Sequence, residues 1–207
     1  PHIAGLHSLV RLSVCHNQLT KLHPSFVTLT ALKELSLSHN ELSVVPEEII
    51  DLTGLKKLAL DHNLLTELPP AMGTMPLLRS MKLHSNDIRS PPKEVNLQGT
   101  TVQLNYLKAL HDGKRAERVI IDSFDLLELP REVCRLTALV SLSLNDNQVR
   151  LLSPEVSYLT NLRELKAASN QLIQLPPEIE ALASLVTLDV RNNQLNAIPC
   201  ELASMSG

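Results

Sequence analysis

Histidine supplies much of the metal-binding and acid–base chemistry open to a protein near neutral pH. In this chain of 207 residues three histidines recur at one interval. His16, His39 and His62 lie 23 residues apart, each directly before an asparagine, and His84 lies next to that column. Stacked on neighbouring strands, they would stand about 5 Å from one another. Two of them could share a zinc ion, whose bonds to histidine nitrogen are about 2.0–2.1 Å. Three in a straight file cannot converge on one ion. Asp61 is adjacent, but no cysteine or carboxylate set there carries ligand spacing. The expectation is no metal site and no cofactor. The file reads as a solvated ladder of imidazoles, with a pH-sensitive contact as the alternative.

Enzyme chemistry finds no other foothold. The chain contains no G-x-x-x-x-G-K-[ST], G-x-S-x-G or H-E-x-x-H pattern, and its six glycines form no phosphate-cradling loop. No catalytic residues are expected.

The elements that must carry these side chains are set by the asparagines themselves. Asn17, Asn40, Asn63 and Asn86 are 23 residues apart, and Asn147, Asn170 and Asn193 repeat the interval after a longer gap. A period of that length is the mark of a solenoid, in which each unit buries its apolar face only against its neighbours. One copy runs Leu32-x-x-Leu35-x-Leu37-x-x-Asn40-x-Leu42-x-x-Val45-Pro46-x-x-Ile49-x-x-Leu52, and eight copies start at Leu9, Leu32, Leu55, Leu78, Ala116, Leu139, Leu162 and Leu185. The L-x-x-L-x-L part alternates as a strand does, leucines inward and intervening residues outward. Stacked copies make a parallel sheet on the concave side. The asparagine amide is expected to satisfy backbone groups of its turn and of the next coil. Pro46, Pro69, Pro130, Pro176 and Pro199 share one frame position, where proline can begin a short helical segment. The i, i+3 spacing of Ile49 and Leu52 suits a 3₁₀ turn or a single α turn on the convex side.

This pattern resembles the 23-residue leucine-rich repeats of intracellular proteins, and is similar to the Ras-binding scaffold proteins, the Ras suppressor family and the plant intracellular Ras-group-related proteins. The resemblance implies a curved α/β solenoid: a parallel concave sheet backed by 3₁₀ or short helical segments. It also implies a non-enzymatic signalling scaffold that engages small GTPases or phosphatases. Such arrays are also appended to kinases, cyclases or GTPases, so the recognition arm of a larger enzyme stays open, as does a structural subunit of a large assembly.

The interval from Asn86 to Asn147 is 61 residues, 15 more than two periods. The expected division is a first array over 1–100, a helical insert over 101–115 and a second array over 116–207. Thr100 and Gln103 have capping-box spacing. Val102, Tyr106 and Leu110 fall on one face with Leu107 beside them, and Gly113 reads as the stop. Gly99-Thr100 through Tyr106-Leu107 resembles the G-T-x-x-x-L-x-Y-L segment that follows or splits many intracellular arrays. The insert reads either as a tolerated loop or as a bend or docking element. The copy after it is irregular, with Phe124 in the asparagine slot and Ala116 in the first leucine slot, and Pro91 takes an apolar slot in the copy before. Ile3 and Leu6 at one end, and Leu202 and Met205 at the other, match the closing slots of a copy. The expectation is a segment of a longer protein or complex.

Apolar residues make up 43 % of the chain and aromatics 2 %, so the core is aliphatic. A net charge of −3 gives no global pull toward nucleic acid or an anionic membrane, and no stretch approaches a membrane span. Cys15, Cys134 and Cys200 are scattered and odd in number, unlike the clustered disulfides that close extracellular arrays of this type, so a reducing, cytoplasmic location is expected.

The outward residues of the first array include Arg11, Lys33, Glu34, Lys56, Lys57, Asp61, Arg79 and Lys82, six positive against two negative, with His84 added. Those of the second include Glu117, Arg118, Asp122, Asp146, Arg163, Glu164, Lys166, Asp189 and Arg191, four positive against five negative. The partner-binding face is expected at Arg11, Glu34, Lys57, Lys82, His84, Asp122, Arg163, Lys166 and Arg191. Its basic first half calls for a protein partner with an acidic surface. Few aromatics are available to stack on bases, so nucleic acid is not expected.

Overall fold

The computed structural model describes residues 5–198 and 200. Ile3, Leu202 and Met205 of the closing slots, and Pro199 of the proline frame, lie outside the described residues. The chain divides into two compact units, Pro1–Lys108 and Ala109–Gly207. No helix of the described residues is long and apolar enough to cross a membrane.

Each copy opens with a three-residue strand. In the first unit these are β1 (Arg11–Ser13), β2 (Glu34–Ser36), β3 (Lys57–Ala59) and β4 (Ser80–Lys82). In the second they are β5 (Arg118–Ile120), β6 (Ser141–Ser143), β7 (Glu164–Lys166) and β8 (Thr187–Asp189). All pair in parallel with their sequence neighbours at an offset of one repeat, so Leu12, Leu35, Leu58 and Met81 form one row and Val119, Leu142, Leu165 and Leu188 another. The eight strands lie in two four-stranded sheets, not one. Burial follows stacking. Leu35 and Leu58, with a copy on either side, are 2 % and 1 % exposed, while Leu12 in the first copy is only half-buried. Fully burying such a side chain is worth about 1.5–3 kcal/mol, and only a stacked neighbour realises it.

The back half of most copies is a 3₁₀ turn: Pro24–Thr28, Glu47–Asp51, Pro70–Thr74, Pro154–Tyr158 and Pro177–Ala181. Two copies use a short α-helical turn instead, α1 (Lys93–Leu97) and α3 (Arg131–Cys134). The recurring proline does not begin these turns. It stands one residue earlier, as the cap, at Pro46, Pro69, Pro92, Pro130 and Pro176. Proline's fixed φ sets the entry direction there, and its missing N–H is no loss. In two copies whose cap position is not proline a side chain does the capping: His23 Nδ1 accepts from the Ser25 N–H at 3.2 Å, and Ser153 Oγ accepts from the Glu155 N–H at 3.2 Å.

The asparagine ladder differs from expectation in direction: each amide reaches the preceding coil, not the next. Asn63 Oδ1 accepts the Leu42 N–H at 3.0 Å, and its Nδ2 donates to Leu37 O at 3.1 Å and to Leu60 O of its own turn at 2.9 Å. Asn40, Asn86, Asn170 and Asn193 repeat the arrangement on Leu19, Leu65, Val149 and Leu172. The turn points the amide back, where the previous coil has left its own strand ladder and holds orphan groups. Among the described residues the Asn17 side-chain amide bonds only within its own turn, to Val14 O and Cys15 O, and the residue is exposed. Asn147 carries an extra load. Phe124 cannot accept a hydrogen bond, and Asn147 Oδ1 takes both the Phe124 and the Leu126 N–H, at 3.0 and 3.1 Å.

The inserted helix, α2, runs Thr100–Ala116, one residue beyond the expected 101–115 at each end. Its buried stripe is Gln103, Tyr106, Leu107, Leu110 and Gly113, while Val102 is only half-buried. Gly113 does not stop the helix. A Cβ there would lie 2.3 Å from Val119 Cγ2, so this glycine permits close packing inside the second unit. Nor does a capping box form. Thr100 is already helical, and its hydroxyl accepts the Met81 N–H at 2.9 Å, closing the outer edge of β4 where no further strand of that sheet follows. The Gln103 amide donates to Asn96 O at 3.1 Å, and its Oε1 is buried without a partner among the described residues. In the first unit α2 approaches so near that a Cβ on Gly73 would lie 2.2 Å from Lys108 N.

Candidate functional site

Strand alternation fixes the residues of the first sheet face in three columns. Arg11, Glu34, Lys57 and Ser80 form one, and Ser13, Ser36, Ala59 and Lys82 the next. Cys15, Ser38, Asp61 and His84 continue at the same interval where the strands end. Small side chains make the floor between long ones, and a cleft of about 430 Å³ lies over it, lined by Arg11, Glu34, Ser36, Lys57, Ser80 and Lys82 among others. Lys33, Lys56 and Arg79, expected on this face, stand one residue ahead of their strands and do not line the cleft. The face itself therefore carries three cations, Arg11, Lys57 and Lys82, against Glu34 and Asp61.

Lys57 Nζ lies 2.9 Å from Glu34 Oε1 and holds that exposed carboxyl below its usual range. Arg11 and Lys82 form no ion pair among the described residues. Asp61 is 7 % exposed. Burial works to raise its pKa, but the Ser38 hydroxyl, its own backbone N–H and the nearby His84 and Lys82 hold it below the ordinary carboxylate range. Ser38 Oγ donates to Asp61 Oδ1 at 2.7 Å, and His84 Nε2 lies 3.6 Å from Oδ2. Sequence spacing placed Asp61 beside the histidines, but not the Ser38 hydroxyl that anchors it, because that bond runs across strands 23 residues apart.

The histidine file forms as the 23-residue interval requires. The rings of His16 and His39, and of His39 and His62, stack with centroids 4.1 Å apart, and His84 meets His62 edge-on at 5.1 Å. Desolvation, then the neighbouring His62 and His16, lowers the His39 pKa, with Asp61 opposing. All three stacked histidines have left-handed backbone, φ between 54° and 56°, as do Ser85, Ser123, Asp146, Ser169 and Asn192 at the same frame position. Histidine, asparagine and aspartate tolerate this region better than most residues. The column is thus first a turn requirement, and that requirement explains why no branched aliphatic residue occurs in it.

The second sheet face is arranged differently. Its columns are Arg118, Ser141, Glu164 and Thr187, then Ile120, Ser143, Lys166 and Asp189, then Asp122, Asn145, Ala168 and Arg191. Glu164 accepts from Lys166 at 2.7 Å and from Ser141 Oγ at 2.8 Å, and both partners hold its carboxyl below the usual range, Lys166 first. Asp122 Oδ1 accepts from Ser143 Oγ at 2.7 Å and from the Asn145 N–H at 2.8 Å. Arg191 Nε lies 3.4 Å from Asp189 Oδ2. Asp122, Lys166 and Arg191 stand on the face as expected, but Arg163 sits one residue ahead of β7. The expected binding residues thus fall into two sets, one in each unit.

Residues 7–65 match a family model described as leucine rich repeat, and residues 184–205 match a second model of the same description. Among solved structures the chain is similar to a leucine-rich repeat protein of Leptospira interrogans, at 27 % identity over 98 % of this chain and 54 % of that one, with a TM-score of 0.43. It is also similar to internalin C2 of Listeria monocytogenes, at 23 % identity over 99 % of this chain and 70 % of that one, with a TM-score of 0.39. The chain spans about half the length of the Leptospira protein. No curated protein matches it in sequence.

Proposed function

We propose that this chain, an α/β solenoid of leucine-rich repeats, is a non-enzymatic module that binds a protein partner with an acidic surface through the sheet face of its first array. Stacked repeats of this kind present extended binding surfaces. The observation that carries the reading is a pair of cations, Arg11 and Lys82, without an ion pair among the described residues and at opposite corners of a cleft floored by Ser13, Ser36, Ala59 and Ser80. Unpaired exposed cations gain from an acidic partner without first breaking a contact of their own, and they speed encounter. On the second face Lys166 and Arg191 are held by Glu164 and Asp189, and Arg118 is the one cation without an ion pair among the described residues, so fewer cations there are available to a partner. The partner class suggested by the resemblance to Ras-group repeat proteins is a small GTPase or a phosphatase. The free thiols of Cys15, Cys134 and Cys200 are in keeping with a reducing compartment.

The test compares two charge reversals in pull-down from the native source and in association kinetics with any partner recovered. Arg11→Glu with Lys82→Glu should abolish capture and slow association at least about tenfold. Lys166→Glu with Arg191→Glu should leave both unchanged. Partners retained by the first variant and lost by the second would place the contact on the other face.

A further inference from the structure

We propose that His39, His62 and Asp61 form a binding site for a divalent transition metal ion of the zinc class, independent of the protein-binding reading. Their ligand atoms, one from each residue, all lie within 4.8 Å of one another. A tetrahedral ion with bonds of about 2.0–2.2 Å holds its ligands about 3.3–3.6 Å apart, so no pair of donors needs to close by more than about 1.5 Å. The two imidazoles can make that adjustment by side-chain rotation, because both are exposed at turn positions. The carboxylate need not move far, because it is already held.

Three features build the site beyond mere proximity. The backbones of the donors are tied together: the His39 N–H donates to Asp61 O at 3.0 Å, and the Asn40 N–H donates to His62 O at 3.2 Å. The carboxylate is oriented from behind by the Ser38 hydroxyl at 2.7 Å and flanked by His84 at 3.6 Å, the outer-shell support that ligating groups require. The donor set, two imidazoles and one carboxylate, suits zinc and its neighbours and disfavours calcium or magnesium, which take oxygen ligands. The fourth position faces solvent and is left to water. The sequence argument against a metal holds for the file of three histidines, whose donors lie in a line. It fails for two histidines and Asp61, because the left-handed turn at His62 sets that carboxylate beside the imidazole file. The His16–His39 pair has neutral Ser38 in the equivalent place, so it makes no second site.

The experiment is calorimetric titration of the tag-free chain with zinc chloride, alongside the visible spectrum of added cobalt(II). One ion should bind, with the intense cobalt bands of a four-coordinate site, and magnesium should give no heat. His39→Asn, His62→Asn and Asp61→Asn should each weaken zinc binding at least about tenfold. His16→Asn should leave it unchanged. Asparagine already occupies the left-handed position at Asn192, so these histidine variants keep the turn, and an unchanged urea midpoint without metal checks it. Zinc should raise that midpoint in the native chain and not in Asp61→Asn. The proposal is overturned if zinc does not bind, if Asp61→Asn binds as the native chain does, if His16→Asn weakens binding as much as His62→Asn, or if magnesium binds equally well.

Discussion

The two sheet faces share one backbone plan and differ in how their side chains use charge. The first carries Arg11, Lys57 and Lys82 against Glu34 and Asp61, and two of its cations have no ion-pair partner among the described residues. The second carries Arg118, Lys166 and Arg191 against Asp122, Glu164 and Asp189, and each carboxylate is engaged by a neighbour on the same face. On both faces the carboxylates are engaged by neighbours; the difference is one of balance, three cations against two carboxylates on the first face and three against three on the second, where Arg118 alone of the cations forms no ion pair among the described residues. The arrays differ in backbone support as well. The first has an asparagine in every copy, while the second begins with Phe124 in that slot and relies on Asn147 to serve two coils.

That dependence supplies the largest expected effect. Asn63→Ala should lower stability by about 1–3 kcal/mol, since buried backbone groups lose their partner. Asn147→Ala should cost about 1 kcal/mol more, because one further N–H is orphaned. Urea unfolding measures both, and equal losses would break the claim that the irregular copy leans on its neighbour. Asn17→Ala, removing bonds within one exposed turn, is the reference that should barely shift the midpoint.

The glycines that seat α2 come next. Gly73→Ala meets backbone atoms, Lys108 N at 2.2 Å and Leu104 O at 2.7 Å, that cannot step aside alone, and should cost about 1–3 kcal/mol. Gly113→Ala meets chiefly the Val119 side chain, and should cost less. Thermal unfolding of the pair sharpens the contrast between a helix backed by main chain in one unit and by a side chain in the other.

Each array also holds a thiol, and their reactivities should separate. Burial, reinforced by Glu155 and Glu132, pushes the Cys134 thiol up to about 12. Burial also works to raise Cys15, but hydrogen bonds from Ser13, Ser36 and Ser38 leave it below its ordinary value. Alkylation of the folded protein, read by mass spectrometry, should label Cys15 well before Cys134. Equal labelling would mean that the second array opens as readily as the first.

The smallest effect is in pH. The Glu34 and Glu164 carboxyls are both held low in the folded chain. A depressed folded pKa contributes stability above the unfolded value, and that contribution is lost as pH falls through the folded one. Glu164, with Lys166 and Ser141 on it, should lose more than Glu34 with Lys57. Replacing Glu164 with Gln should therefore flatten the acid limb of the urea-midpoint profile more than Glu34→Gln. Both side chains are partly exposed, so solvent limits both changes.

The 23-residue interval, the leucine rows and the asparagine slots were legible in the amino-acid sequence because a solenoid contact is a local rule repeated. Once one copy is understood, the strand, turn and cap of every regular copy follow, and so does the stacking of His16, His39 and His62. The charged face was legible only in part. Lys33, Lys56, Arg79 and Arg163 look outward in a linear frame, yet two intervening residues separate the first leucines of each copy, and strand alternation does not begin until the second of them. What only tertiary structure decided lies across copies or at the insert: the backward reach of each asparagine, Thr100 closing the edge of β4 instead of capping its own helix, Gly113 packed inside the helix it was expected to end, and Ser38 holding Asp61 beside two histidines. These depend on distances between residues more than 20 apart in the chain or on the exact placement of one helix. No local propensity encodes them, because the energy that selects them arises only when the neighbouring surfaces are already in place.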